Sequence, residues 1–332
     1  MLRIFHDTHY DFIRWWKVAV GITAAFIVLG IGDLAIRGVN YSIEFTGGTL
    51  KQLAFKTPVD AGAIRSTLDA AGFHDAEIQQ FGSPRDFTLR VSSAQTVAEQ
   101  ARGAELVSKQ VDSVLTAKFP NNVSVVRTEA VGPRVGSELR RNAIIAILLS
   151  FLITLVYLAF RFEWRFGLAA VIATGHDVLT TLAFVKLMHL EISLTVVAGL
   201  LTVLGYSLND TIIIFDRVRE DLRKGRKESL YDTLNRAINE TLPRSILTHT
   251  TTAAATLALL ILAGEVIRPF SWVMLFGIVT GTFSSIYIAG PVLLWIEHKY
   301  PRATNATNPK WTASSTATPT SPTRRSPATA AR

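Results

Sequence analysis

Cysteine is absent from the 332 residues of this chain, which excludes disulfides, thiol nucleophiles and thiolate metal ligands. Charge is also scarce: 18% of residues are charged, 49% are hydrophobic, and the mean hydropathy is +0.30. A soluble domain usually carries about 25% charged residues. The seven histidines show no metal-ligand spacing, so no metal site is expected. No nucleophile–base pair or phosphate loop appears, and the isolated Thr-Gly-Gly at 46–48 is too short to be one. Neither an enzyme nor a cofactor is therefore expected. The net charge of +8 suggests nucleic acid, but its position argues against that. After Glu297 come six basic residues (Lys299, Arg302, Lys310, Arg324, Arg325, Arg332) and no acidic ones, so much of the excess is a basic tail.

What the chain does have is long apolar runs. Val18–Ile36, Ala143–Phe160, Phe166–Met188, Ile192–Phe215, Ser245–Ala263 and Phe270–Ile296 each reach about 18 residues or more, enough to cross a hydrocarbon core at 1.5 Å per residue. Six transmembrane helices follow. The first is long for a signal-peptide core, and no small-x-small cleavage site follows it before Arg37.

Basic residues beside the spans set their direction. Arg3, Arg14 and Lys17 precede span 1; "RFEWR" (161–165) holds two arginines; the link 216–243 holds seven basic residues. The alternate links are poor in them: "LMHLE" (187–191) has no Lys or Arg and "GEVIRP" (264–269) has one. The expectation is a multi-pass protein of the cytoplasmic membrane with both termini in the cytoplasm. Residues 1–17 form a cytoplasmic N-terminus, 18–36 span 1, 37–141 an extracytoplasmic domain, 142–298 spans 2–6, and 299–332 a basic, disordered cytoplasmic tail rich in Thr, Ala, Pro and Ser.

The domain of about 100 residues reads as β-α-β-β-α-β. "IEFTGGTLKQLAFKT" reads as strand around its Gly pair and "VDAGAIRSTLDAAGF" as amphipathic helix. "AEIQQF" and "DFTLRVS" read as strands joined at "GSPR". "TVAEQARGAELVSKQVDSVLTAKF" is a long helix stopped by Pro120, and "VSVVRTEAV" a last strand. This order suggests a ferredoxin-like α+β fold, which names no ligand by itself.

Ionisable groups inside membrane helices are functional candidates. Span 3 carries His176 and Asp177 near its middle. In span 4, Asp210 lies six residues before Asp216, roughly 10 Å from the span's centre by helical rise. Arg244 opens span 5, followed by Thr248 and His249. Asp210 and Arg244 fall at similar depth, so they are expected to pair, with Asp210 a protonatable switch between opposing effects of burial and a nearby cation. One-face spacings support a polar seam: Thr195, Gly199, Thr202, Tyr206 and Asp210; Ala169, Ala173, His176 and Thr180; Arg244, Thr248, Thr251 and Ala255; Gly277, Gly281 and Ser284. The plain alternatives are packing faces, a snorkelling arginine and a satisfied structural histidine.

These same residues carry a resemblance. "LTVLGYSLNDTIIIFDRVRE" (201–220) resembles the fourth-helix signature of the SecD/SecF family of protein-export membrane subunits, on its SecF side and within the RND-type superfamily. "YSIEFTGGTL", "VGPRVGSELRRNA", "GHDVLTTLAF", "LPRSILTHTTTAAATLALLILAG" and "GIVTGTFSSIYIAGP" resemble further family segments in the right order, over roughly 18–298. Glu44 stands where the family pattern has Asp. The resemblance implies a six-helix RND-type bundle that is half of a transporter, completed by SecD and associated with the SecYEG channel. It implies use of the proton motive force to promote export of a translocating preprotein. Family proton-conduction positions fall on Asp210 and Arg244; His176, Asp177, Asn209, Tyr206 and Thr248 are expected to support them. An RND-type small-molecule exporter is the alternative, disfavoured by the small outer domain, and a static scaffold is a third reading.

Overall fold

The computed structural model describes residues 8–74, 76–80, 83–91, 100–224, 228–264 and 266–301. The expected tail beyond 301 and the expected helix start at 96–99 lie outside the described residues. Among the described residues, six helical segments are long and apolar enough to cross a membrane. They are α1 (Trp16–Arg37, entered through a 3-10 turn at Ile13–Trp15), α5 (Pro133–Arg161), α6 (Trp164–Leu187), α7 (Leu194–Arg223) and α8 (Leu230–Leu262); the sixth is α9 (Arg268–Ser284) continuing into α10 (Gly290–Lys299). Several outrun their apolar runs. α8 begins well before Ser245, and Pro243 marks the change from its amphipathic first half to its apolar second half.

α9 and α10 are joined by a π-helical stretch, Ser285–Ala289. Pro291 in the first turn of α10 explains it: proline donates no N–H, and its ring crowds the carbonyl one turn earlier, so the backbone widens there. The centre of the bundle is the contact of α7 with α9. A side chain on Gly277 would overlap Val203, and one on Gly281 would meet Ser207 Cβ at 2.9 Å. The missing Cβ atoms let the two backbones approach closely, as small residues do in membrane helices. By contrast α5 exposes a broad apolar face, from Ile144 to Phe160.

Between α1 and α5 lies an α+β unit. It comprises a single helical turn α2 (Ile43–Thr46), β1 (Gly48–Phe55), α3 (Ala61–Ala70), β2 (Glu77–Gln80), β3 (Asp86–Val91), α4 (Gln100–Lys118) and β4 (Val123–Val131). The strands form one antiparallel sheet in the order β2-β3-β1-β4. Alternation puts Leu53, Phe55, Phe87, Leu89 and Val91 under Ile64 and Leu68 of α3 and Val111 and Leu115 of α4. Lys51 lies on this buried face too, its Nζ 2.7 Å from Asp112 and 3.3 Å from the Thr128 hydroxyl. One detail differs from the sequence expectation. Residues 43–46 coil into a turn rather than extending as strand, because Gly47 takes φ +77° and ends the turn. Gly47 also lies so close to Pro133 that a Cβ would come within 2.7 Å of its backbone.

Candidate functional site

Among the described residues, two carboxylates are buried within the apolar runs of the bundle, apart from Asp221 at the end of α7. Asp177 of α6 is 1% exposed. It accepts hydrogen bonds from the Ser207 hydroxyl of α7 and, at 2.7 Å, from the Ser284 hydroxyl of α9. His176 Nδ1 lies 3.1 Å from its other oxygen. Thr180 and Thr181 turn their hydroxyls onto their own helix. Asp177 is therefore a knot joining α6, α7 and α9. Nε2 of His176 is buried without a partner among the described residues.

Asp210 sits one turn further along α7 from Ser207 and is 3% exposed. Its Oδ2 is 3.0 Å from Nε2 of His249 on α8. His249 Nδ1 is 2.7 Å from the Thr282 hydroxyl of α9. The Tyr206 ring packs against the imidazole at 5.3 Å between centroids, and its hydroxyl bonds Thr252 Oγ1 at 3.1 Å and the Thr248 carbonyl at 3.3 Å. Next to Asp210, Thr211 shares a 2.9 Å hydrogen bond with Ser285, the first residue of the π-helical stretch.

The expected pair of Asp210 with Arg244 is not formed. Arg244 is exposed and has no ion pair among the described residues. On α8 after Pro243 the buried polar residues are Ser245, His249 and Thr256, whereas Arg244 and Thr251 of the expected inward stripe face out with Ala255. Position 249 follows 244 by five residues, about 140° around the helix, so one helix cannot present both to Asp210. Thr248 donates its hydroxyl to the Arg244 carbonyl at 2.9 Å. Asn209 is exposed. Of the expected site residues, Tyr206 and Asp210 come together around His249; Asp177 and His176 form the separate knot. His249 was visible in the sequence: Ser245, His249, Thr252 and Thr256 follow steps of 4, 3 and 4, as regular as the stripe drawn through Arg244.

α7 is held at its far end by the α+β unit. Residues 40–46 lie alongside 190–194, with Ile192 N–H donating to the Asn40 carbonyl at 2.8 Å and Ser42 N–H to the Ile192 carbonyl at 3.0 Å. The Glu44 carboxylate accepts the N–H of Leu194, the first residue of α7, at 2.6 Å. Arg90 of β3 reaches Glu191 in an ion pair. Glu44 thus caps the helix that carries Asp210, next to the helix's own cap from Ser193 to the Val196 N–H.

The opposite end is basic and ion-paired. Arg161 meets Asp216 at 2.6 Å, and Arg236 of α8 holds the buried Asp221 of α7 at 3.0 Å. The N-terminal segment lies along α8, with Tyr10 N–H donating to Asn239 at 3.0 Å and Phe12 N–H to Asn235 at 3.1 Å. Asp11 accepts from Tyr231 and Asn235 at 2.6 Å each. Among the described residues, no group of three His, Cys, Asp or Glu side chains is placed to hold a metal ion.

This geometry defines a multi-pass membrane protein with a polar site inside its helical bundle and an α+β unit gripping one of the site's helices. Two family models match the chain: "SecD/SecF GG Motif" over 34–59 and "Protein export membrane protein SecD/SecF, C-terminal" over 110–299. A protein translocase subunit SecF from Gemmatimonas aurantiaca is 63% identical over 309 residues, covering 92% of each chain. The crystal structure of SecDF, a translocon-associated membrane protein from Thermus thermophilus, aligns with a TM-score of 0.76 at 35% identity over 88% of this chain. A SecDF structure in a super-membrane-facing form aligns with a TM-score of 0.63 at 34% identity over 89%. The chain spans 39% and 40% of those two SecDF chains. The chain belongs to the SecD/SecF family of protein-export membrane proteins, as a SecF-like subunit of the Sec protein translocase.

Proposed function

We propose that this subunit uses the proton motive force to promote preprotein export, with Asp210 as the carboxylate that carries the proton and SecD as the subunit that completes the bundle. The observation that carries the reading is a single helix, α7, with a buried carboxylate in contact with a titratable imidazole at one level and a cap from the α+β unit at its end. A change of charge at Asp210 alters how α7 packs on α8 and α9, and Glu44 and the 40–46 segment pass that movement to the α+β unit.

The basic end of the bundle faces the cytoplasm in this proposal, with both termini there. The α+β unit, whose strand order β2-β3-β1-β4 is that of a ferredoxin-like sandwich, then lies outside and meets the preprotein leaving the SecYEG channel. Exposed small and polar residues in the apolar spans support a second helical bundle beside α7 and α8. They are Ala198, Thr202, Gly205 and Asn209 on α7, and Arg244, Thr251 and Ala255 on α8. A lone arginine facing lipid is expensive; facing SecD, Arg244 meets a counter-charge across the interface and joins the proton path there.

The test is export of a preprotein into vesicles containing the SecYEG channel, SecD and this chain, with and without a proton gradient. Asp210→Asn is expected to remove the gradient-dependent part while leaving the complex assembled. A scaffold would export normally with that substitution.

A further inference from the structure

Among the described residues, Asp210 faces one ionisable ring at hydrogen-bond distance, His249, and the hydrogens around it can be counted. The Thr282 hydroxyl has a single hydrogen and two close neighbours, His249 Nδ1 at 2.7 Å and the Ile278 carbonyl at 2.8 Å. If the hydrogen goes to Ile278, the hydroxyl oxygen accepts from Nδ1–H. Nε2 then faces the Asp210 oxygen at 3.0 Å, a contact that needs a proton between them. The couple in this setting is neutral overall, as imidazolium with carboxylate or imidazole with carboxylic acid. If the hydroxyl turns its hydrogen to Nδ1, the imidazole keeps its hydrogen on Nε2 and donates it to the carboxylate, and the couple carries one negative charge. The two settings differ by one proton. Nδ1, Nε2 and the Asp210 oxygen are satisfied in both, and Ile278 keeps its helical N–H donor.

We infer that His249 and Asp210 form one proton-binding couple whose charge changes by a single proton, with the Thr282 hydroxyl as the rotor that permits both settings. The inference rests on the reading of Asp210 given above and makes His249 the partner within this chain that the sequence expectation placed at Arg244. An arginine stays charged in proteins and cannot take up the proton; an imidazole does so near neutrality. Among the described residues, the groups facing the couple are few. From α7 comes Tyr206, with its hydroxyl bonded to Thr248 and Thr252; from α9 comes Thr282. Asp177 of α6 is held by Ser207, Ser284 and His176, and Arg244 on α8 itself is exposed.

The test uses the full chain with SecD in lipid nanodiscs, with histidine labelled by nitrogen-15 and the His249 signals assigned by their loss in His249→Gln. The midpoint of the His249 signals is expected to differ between the parent chain and Asp210→Asn, since the carboxylate that shares the proton is gone. A midpoint that does not move overturns the couple. In the export assay His249→Gln, which keeps a polar side chain but holds no extra proton, is expected to lower gradient-dependent export about tenfold or more. Normal export by His249→Gln with loss in Asp210→Asn overturns the couple and leaves the reading of Asp210 standing; normal export by both overturns that reading as well. If His249→Gln does not assemble, Thr282→Val carries the test: removal of the rotor is expected to hold the imidazole in one tautomer across the pH range and to lower export. An unchanged tautomer equilibrium and export profile would contradict the inference.

Discussion

Asp177 and Asp210 are both aspartates on membrane helices, both almost fully buried, yet their surroundings assign them different work. Asp177 is held by two hydroxyls from two other helices and by the histidine beside it. The two hydroxyls come from α7 and α9, so Asp177 ties three helices together and this site fixes geometry. Asp177→Ala leaves Ser207 and Ser284 without their acceptor, and is expected to cost about 3 kcal/mol of stability from the buried hydrogen bonds lost. The check is thermal unfolding of the purified protein, with Asp177→Ala melting well below Ser207→Ala. A variant that melts like the parent would remove the knot from the account. Asp210 was legible in the sequence because its depth relative to Asp216 is a matter of counting. Its partner was not. Arg244 and His249 are both polar and near the same level, and the choice between them depends on the rotation of α8, which packing against α7 and α9 decides.

At the scale of elements, the α7–α9 contact depends on the missing side chains at Gly277 and Gly281. Gly277→Leu is expected to separate the helices, cost about 1–3 kcal/mol by overpacking, and disturb Asp177 through both Ser207 and Ser284. Loss of assembly with SecD and a lower melting temperature are the measurements; an unperturbed bundle would contradict the packing described. The N-terminal clamp makes a different prediction. Burial pushes the Asp11 carboxyl up, but hydrogen bonds from Tyr231, Asn235 and the Arg14 N–H pull it further down, below its ordinary value. A carboxylate lowered in this way contributes stability above its unfolded pKa of about 3.9, and that stability is lost as pH falls through the folded value. The segment 10–13 should therefore stay on α8 at neutral pH and release below about pH 4. Hydrogen exchange of the Phe12 and Ile13 amides checks this, and Asp11→Asn should flatten the dependence. The six spans and the succession of strands and helices in the α+β unit were legible because hydropathy and strand alternation are local. The turn at 43–46 was not, since Gly47 takes its conformation against Pro133, far away in the chain.

For the whole molecule, the proposal requires a change of charge at Asp210 to be passed on to the α+β unit as movement. Glu44 joins the two, 150 residues from its contact Leu194, and no pattern in a single sequence marks such a pairing. Glu44→Ala is expected to cost about 1 kcal/mol as a lost helix cap, to leave proton binding at Asp210 unchanged, and to lower gradient-dependent export. Full export in that variant would place the coupling elsewhere. The absence of cysteine makes a second check clean. A disulfide engineered between Tyr41→Cys and Ile192→Cys has no native thiol to compete with, and should preserve export if the two segments move together.

The central claim is that Asp210 carries protons, and proton flux measures it most directly. In liposomes containing this chain and SecD, with a pH-sensitive dye inside and an imposed gradient, the wild-type complex is expected to conduct protons. Asp210→Asn is expected to reduce the flux about tenfold or more, with the complex still assembled. Wild-type flux through an assembled Asp210→Asn complex would contradict the account.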